Sequence, residues 1–476
     1  MKIIILGAGQ VGSSVAENLV SEANDITVVD TDPALLQAMQ NKHDLRAVVG
    51  NAASPAVLQQ AGAEDADLLI AVTQSDQINL CACKIAKSVF NLPTRIARLR
   101  SADYVDYPEL LTESNFAVDF SLCPEQIVTD YIGKLIRFPT ALQVLEFAGG
   151  ELSLVAVRAF DGGPLVGLPI SELRKHRPLV EARIAAIYRK EHAIIPSGDT
   201  VIEHADEVFC LAPTRQIREV MRELRRLENP IRRIMIAGGG NIGYRLARSI
   251  EDRYEVKVIE RGQTRTGFLA VNLKHTLVLQ GDATDEDLLA GENIEDMDMF
   301  LALTNDEEDN IMAASLAKRM GARRTLALIN RKSYVDLVQD GGRIDIAISP
   351  AHTSIGTLLA HVRRGDVAAV HSLRRGAAEA LEVVAHGDPK TSKVVGRHVD
   401  EIDLPHGVTI GAIVRETGQQ RLLHRETGPV LQTEREVLIA HHDTVIESED
   451  HVIVFCVSKK QVAKVEKLFQ VGFGFF

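Results

Sequence analysis

Two glycine-rich loops hold the residue types and spacings most capable of chemistry in this sequence. Gly7-Ala8-Gly9-Gln10-Val11-Gly12 and Gly238-Gly239-Gly240-Asn241-Ile242-Gly243 both read G-x-G-x-x-G. That spacing suits a pyrophosphate. The first glycine makes a tight turn, the second lets the backbone approach the anion without a Cβ in the way, and the third lets a helix lie close on a strand. The unpaired N–H groups at the helix start then face the negative charge. Such a site needs an acid about 20 residues further on to accept from ribose hydroxyls, and Asp30 and Glu260 stand there. A carboxylate repels a 2′-phosphate, so these residues favour NAD(H), or an adenine nucleotide with the same ribose, over NADP(H).

A motif this short carries weight only through the elements that position it. Lys2–Leu6 reads as an apolar strand ending at Gly7, and Val11–Val20 as a helix-compatible run, which puts the first loop at a strand-to-helix turn. Asp30 closes the strand-like run Ile26–Val29, and Glu260 closes Val256–Ile259. Asn51 and Thr73-Gln74 follow the next strand-like runs, at the carboxyl ends where parallel sheets bind ligands. Asp282 and Thr304-Asn305 are their counterparts in the second half. Arg98 stands near a further strand end, where its forked guanidinium suits a phosphate. Its counterpart is expected at Ile329, so the second pocket lacks that cation and the two pockets are not equivalent.

The chain is a tandem duplication with its seam near Pro230. Gly7, Gly50, Ala71 and Asn79 all find matches 231 residues later, at Gly238, Gly281, Ala302 and Asn310. Asp199-Thr200-Val201-Ile202-Glu203 returns as Asp443-Thr444-Val445-Ile446-Glu447. Within each half, alternating strand-like and helical runs give way to short β-branched runs, after a helical stretch at Pro124–Arg137 in the first half. The expected fold is α/β: a Rossmann-like parallel sheet followed by a small α+β domain, the pair occurring twice. The expected domains are 1–123, 140–225, 230–349 and 366–470.

Composition excludes other classes. A net charge of −12 repels phosphate backbones, and aromatics at 4% with no tryptophan leave few stacking platforms, so no nucleic-acid partner is expected. No apolar run approaches the roughly 18 to 20 residues a membrane helix needs. Five cysteines without a Cys-x-x-Cys pair fit a reducing, cytoplasmic setting. Cys81 and Cys83, on a helical stretch, read as buried small hydrophobes. The arginines from Arg215 to Arg226, interleaved with Glu219, Glu223 and Glu228, read as a solvated helix with local ion pairs.

Hydride transfer needs a substrate pocket and a proton donor or acceptor beside the nicotinamide. The small modules repeat no Ser/His/Asp or Lys/Tyr arrangement, and Gly198-Asp199 and Asp206 read as turn and strand-edge positions. An NAD-dependent oxidoreductase of unknown substrate is the alternative, and a sensor is the preferred reading. His441-His442-Asp443 with His451 has metal-ligand types, but the matching Ser197-Gly198-Asp199 with Glu207 keeps no histidine, so a polar turn is expected there and no metal. The apolar end Gln470–Phe476 reads as a docking or terminal segment.

These features together resemble the tandem RCK (regulator of potassium conductance) family. The resemblance rests on the repeated loops, the strand-terminal acids, and the segments Ala71–Asp76 and Leu303–Glu308. It extends through Met1–Val11, Ala141–Val144, Gly162–Leu165 and Ser372–Gly376. It implies an RCK-N Rossmann domain and a smaller RCK-C domain in each half, and a regulatory protein rather than an enzyme. It further implies a homo-oligomer, dimer or tetrameric ring, peripheral on the cytoplasmic face of the inner membrane and bound to the membrane potassium-translocating subunit of a Trk-type system. NAD(H), with ATP or ADP in the same pockets, would gate ion flow through a change of conformation. The nucleotide residues carried over are Gly7 to Val11, Asp30, Asn51, Thr73, Gln74 and Arg98, then Gly239 to Gly243, Glu260, Asp282, Thr304 and Asn305. Gly418–Arg435 departs from the family pattern by its length, and an extended hairpin or loop is expected there.

Overall fold

The computed structural model describes residues 1–476 apart from 21–23, 102–103, 105–106, 178, 191, 226–229, 332–333, 336–337, 339–341, 363–366, 374–377, 426–427 and 472–476; the side chains of 351–352, 354, 360, 362, 372, 419–433 and 459 are also left aside. By internal packing the chain groups into two compact units, each drawing on both repeats: Met1–Asp130 with Arg232–Leu358, and Tyr131–Ile231 with Leu359–Phe476.

The first unit holds two parallel sheets. In the first repeat the order is β1 (Lys2–Leu6), α1 (Gln10–Val20), β2 (Asp25–Asp30), α2 (Pro33–Gln40), β3 (Arg46–Val49), α3 (Pro55–Gln60), β4 (Leu68–Ala71), α4 (Asp76–Phe90), β5 (Thr94–Arg98), β6 (Phe120–Leu122) and α5 (Pro124–Arg137). The strands lie side by side as β3-β2-β1-β4-β5-β6. This doubly wound order reverses direction between β1 and β4, and ligands bind at that switch point, outside the carboxyl ends of the strands. Ile3–Leu6 of β1 and all of β4 are buried on both faces, as central parallel strands must be. Pro33 and Pro55 stand in the first turns of their helices, where a missing N–H costs nothing.

The second unit's first sheet is antiparallel, built from β7 (Ala141–Phe147), β8 (Leu152–Arg158), β9 (Arg183–Arg189), β10 (His192–Ile194) and β11 (Glu207–Pro213), with helices α6 (Glu172–His176) and α7 (Ile217–Leu224). Its order is β10-β9-β11-β8-β7.

The second repeat returns to the first unit with β12 (Arg233–Ala237), α8 (Asn241–Ile250), β13 (Glu255–Glu260), α9 (Gln263–Asn272), β14 (Leu277–Gln280), α10 (Glu286–Gly291), β15 (Met299–Ala302), α11 (Glu307–Arg319), β16 (Thr325–Leu328), β17 (Ile346–Ile348) and α12 (Pro350–Val362). Their order, β14-β13-β12-β15-β16-β17, repeats that of the first sheet. The chain ends in β18 (Val367–Leu373), β19 (Ala378–Ala385), β20 (Val408–Arg425), β21 (Gly428–Ile439), β22 (Asp450–Cys456) and α13 (Val462–Phe469), ordered β18-β19-β22-β20-β21. The expected long hairpin is β20–β21, of 18 and 12 residues against 7 and 3 for β9–β10. The two small sheets share one apolar core, in which Phe209 and Phe455 lie 6.3 Å apart.

Two sequence expectations change, and a third is extended. Cys83 is buried, its thiol pushed up to about 12 by burial, but Cys81 is exposed on the opposite side of α4. Glu223 is not solvated: it is buried and accepts from Arg177 at 2.8 Å, with His176 3.1 Å away. Arg226 and Glu228 lie outside the described residues, as do residues 105–106 of one repeat marker, 374–376 of another and 472–476 of the tail. Asp206 flanks β11 as expected and is also a buried anchor: it binds Arg189 at 2.9 Å, and Asp450 binds Arg415 at 2.8 Å in the same way.

Candidate functional site

In the first repeat the sheet's carboxyl edge opens into a cleft of about 1110 Å³. The glycine loop Gly7–Val11 forms one wall, and each glycine has its own reason. Gly7 sits at φ +107°, a conformation that L side chains rarely adopt. A Cβ on Gly12 would come within 1.8 Å of the Gly7 carbonyl oxygen, so α1 packs there on bare backbone. A Cβ on Gly9 would meet no protein atom within 4 Å. Gly9 is therefore not demanded by packing, and its place suits a ligand lying against the loop.

Asp30 ends β2 beside this loop. Its Oδ2 accepts from the Ala8 N–H at 2.6 Å and its Oδ1 from the Asp32 N–H at 2.9 Å. The acid thus braces the glycine loop as well as facing the cleft. Asn51 lines the cleft while accepting from the Ala53 N–H at 2.9 Å. Thr73 and Gln74 line it beyond β4, and Thr73 donates through N–H and Oγ1 to the fully buried Asn79 at 3.0 and 2.7 Å. Asn79 in turn donates to the Arg98 carbonyl at 2.9 Å, tying the ends of β4 and β5 together.

Arg98, Arg100 and Glu125 close the far side. Glu125 Oε1 meets Arg100 Nε at 2.9 Å and Arg98 Nη2 at 3.5 Å. Among the described residues, Arg98 Nε and Glu125 Oε2 are both buried without a hydrogen-bond partner. Burial lowers the Arg98 pKa from its ordinary value, and Glu125 opposes that shift. An orphaned guanidinium N–H beside a cleft fits an anionic group, as does the open face of Gly9. Ile242, Asn330 and Pro350 of the second repeat also line this cleft, and Arg245 of α8 donates to Gln126 Oε1 at 3.0 Å and to the Arg100 carbonyl at 3.1 Å. Ile242, read from sequence as part of the second pocket, thus borders the first.

The second glycine loop repeats the scaffold and alters the surroundings. Gly238 has φ +102°, and a Cβ on Gly243 would lie 2.0 Å from the Gly238 oxygen. Glu260 accepts from the N–H groups of Gly239 and Gly262, both at 2.8 Å. Thr304 donates to Asn310 at 2.9 and 2.7 Å. Asn241 and Asn305 are exposed at the loop and strand ends. Two arginines stand here that the first repeat lacks. Arg261 pairs with Asp282 at 2.7 Å and Asp309 at 2.6 Å, and its hydrogen bond holds the Asp282 carboxyl down at about 2. Arg265 donates from Nε to the Gly239 carbonyl at 2.6 Å and from Nη2 to that of Gly240 at 3.3 Å.

The position matching Arg98 is Leu328 and not Ile329. Ala71 pairs with Ala97, Ala302 pairs with Ala327, and Asn310 donates to the Leu328 carbonyl at 3.0 Å as Asn79 does to that of Arg98. The turn closing α11 is one residue shorter than that closing α4, with Ala322 N–H on the Ala317 oxygen against Leu92 N–H on that of Ala86. The second pocket still lacks the cation.

Sequence reasoning missed Arg100, Glu125, Arg265 and the bracing role of Asn79; only Asn79, as a repeat marker, gave a signal. Among the described residues no group of three or more His, Cys, Asp and Glu could hold a metal. His451 meets Glu382 at 2.6 Å, and His441 lies 3.4 Å from Arg174. No described helix is long and apolar enough to cross a membrane.

The sequence profile of the TrkA-N domain matches residues 3–115 and 234–350, and that of the TrkA-C domain matches 154–225. The Trk system potassium uptake protein TrkA of Halomonas elongata is 55% identical over 476 residues, 100% of both chains. The protein of that name from Vibrio alginolyticus is 55% identical over 471 residues, 99% of both chains. Among solved structures, the GsuK RCK domain has a TM-score of 0.60 at 18% identity, covering 98% of this chain and 94% of that one. The GsuK channel bound to NAD also has a TM-score of 0.60, at 17% identity, covering 98% and 78%. At these identities the two structures establish the fold alone.

Proposed function

The chain belongs to the family of Trk system potassium uptake proteins TrkA, and from that premise we propose that it is a nucleotide-sensing regulatory subunit. It acts as a homo-oligomer on the cytoplasmic face of the membrane and controls a separate potassium-translocating subunit. Its ligand is NAD(H), or another adenine nucleotide with an unmodified ribose, held in the first cleft. The observation that carries this reading is the pairing of an open Gly9 with the orphaned Nε of Arg98 across that cleft.

The chain's residues divide the work. The N–H groups of the glycine loop and α1 face a pyrophosphate. Asp30 accepts from ribose hydroxyls with its remaining lone pairs. Asn51 and Thr73 line the wall beside it, and Arg98 meets the phosphates. The ligand supplies differential binding energy and no bond-making step. Moving a two-state assembly from 1:99 to 99:1 requires a preference of about 5.5 kcal/mol for one state, which repeated sites in an oligomer can supply jointly. Ile242, Asn330 and Pro350 of the second repeat line the same cleft, so a ligand there can touch both repeats and favour one arrangement of the two.

Gly9→Val tests this reading, because its side chain enters the cleft and not the protein core. The variant is expected to melt like the wild type, to lose NADH binding, and to abolish nucleotide-dependent potassium flux in vesicles carrying a Trk translocator. The chain has no tryptophan, so NADH fluorescence reports binding against a low background. Unchanged binding in Gly9→Val, or turnover of NADH with a small carbonyl substrate, would overturn it.

A further inference from the structure

We propose that Arg265 is a resident gate on the second glycine loop, so that the two cradles of one chain fill in a fixed order, the first at lower nucleotide concentration. This rests on the reading that the cradles take NAD(H)-like nucleotides.

Backbone register fixes the comparison. The Asp32 N–H donates to Asp30 and the Gly262 N–H to Glu260. Three residues on, Leu35 in α2 and Arg265 in α9 therefore hold the same place. Leu35 is 42% exposed, lines the first cleft, and offers no polar side-chain atom. Arg265 reaches back across the acid to the loop, where its guanidinium binds the carbonyls of Gly239 and Gly240. It also lies 4.5 Å from the ring centroid of Phe268 and 5.6 Å from that of Tyr244. Gly239 and Gly240 belong to the stretch that a pyrophosphate and its ribose must approach.

The aromatic faces and the two carbonyls hold the guanidinium in place. A Cβ on Gly240 would meet nothing within 4 Å, as at Gly9, so the glycine face itself is open; a ligand whose ribose or base lies along the Gly239 and Gly240 carbonyls has to displace the guanidinium, a step the first cradle does not ask for. Nor does the second cradle return an attraction from the phosphate side, since Leu328 stands where Arg98 does. Loss of charge-assisted hydrogen bonds of this kind corresponds to a penalty of roughly tenfold or more in affinity.

Calorimetric titration with NADH of the full chain, of Arg265→Leu and of Leu35→Arg separates the outcomes. The wild type should show one strong site and a second weaker by about tenfold or more. Arg265→Leu should tighten the second site by about tenfold while leaving it weaker than the first, because Leu328 remains, and Leu35→Arg should weaken the first by about tenfold. Melting curves check that each variant folds, and Arg265→Gln stands in if Arg265→Leu does not. Equal sites in the wild type would overturn the gate, as would an Arg265→Leu titration that is unchanged or shows a second site weaker than the wild type's. A wild type that takes no NADH at all would instead overturn the cofactor reading beneath it.

Discussion

The two glycine loops share a scaffold and differ in what surrounds it. Both have a first glycine at φ near +100° and a third packed on the first one's carbonyl. Both have a strand-terminal acid bound to the loop's own backbone, and an asparagine tying two strand ends together. Around the first stand Leu35, Arg98 and an open cleft; around the second stand Arg265, Leu328 and the Arg261–Asp282 pair. The lesson is that a glycine motif reports a fold requirement, while its neighbours decide whether anything binds.

The largest expected effect tests the shared part. Gly12→Ala and Gly243→Ala each drive a methyl against a carbonyl oxygen, and each should destabilise the protein by about 3 kcal/mol, the upper range for overpacking. Equal losses in chemical denaturation would support a common scaffold; a silent Gly243→Ala would break the comparison. The next effect tests the difference. Arg98→Leu gives the first cradle the second one's residue and should weaken NADH binding roughly 10- to 100-fold, the equivalent of losing charge-assisted hydrogen bonds, with little change in melting temperature. The smallest concerns Asp282. Its folded pKa of about 2 lies below the ordinary value near 3.9. The unfolded chain therefore binds the proton first. The stability that Asp282 contributes is present above pH 4 and drains away as pH falls toward 2. Asp282→Asn, which copies Asn51, should flatten that part of the acid-unfolding curve and cost under about 1 kcal/mol at pH 7, since the pair is half exposed.

Strands and helices were legible wherever local pattern dictates them. The apolar run of β1, the proline that starts α5 and the repeat of both glycine loops needed no tertiary knowledge. The loop acids were legible by spacing, but not their bonds to Ala8 and Gly239, because a carboxylate's partner 22 residues away leaves no local trace. Glu125 and Arg100 were hidden for the same reason: they belong to different elements that meet only at the sheet's edge. The misplacement of Arg98's counterpart by one residue came from the shorter turn after α11, since a deletion at a helix end leaves the apolar pattern on both sides intact. Arg265 was invisible because a lone arginine in a first helical turn reads as solvated until the carbonyls it touches are known.

The shared core of the small modules has a consequence for inheritance. Phe209 comes from one copy and Phe455 from the other, so a pairing that two separate polypeptides would have to find by encounter is built in at translation. When partners are identical chains, every mutation strikes both at once. Here one copy can lose a cation while its neighbour keeps one, and every ribosome product carries the unlike pair in a one-to-one ratio.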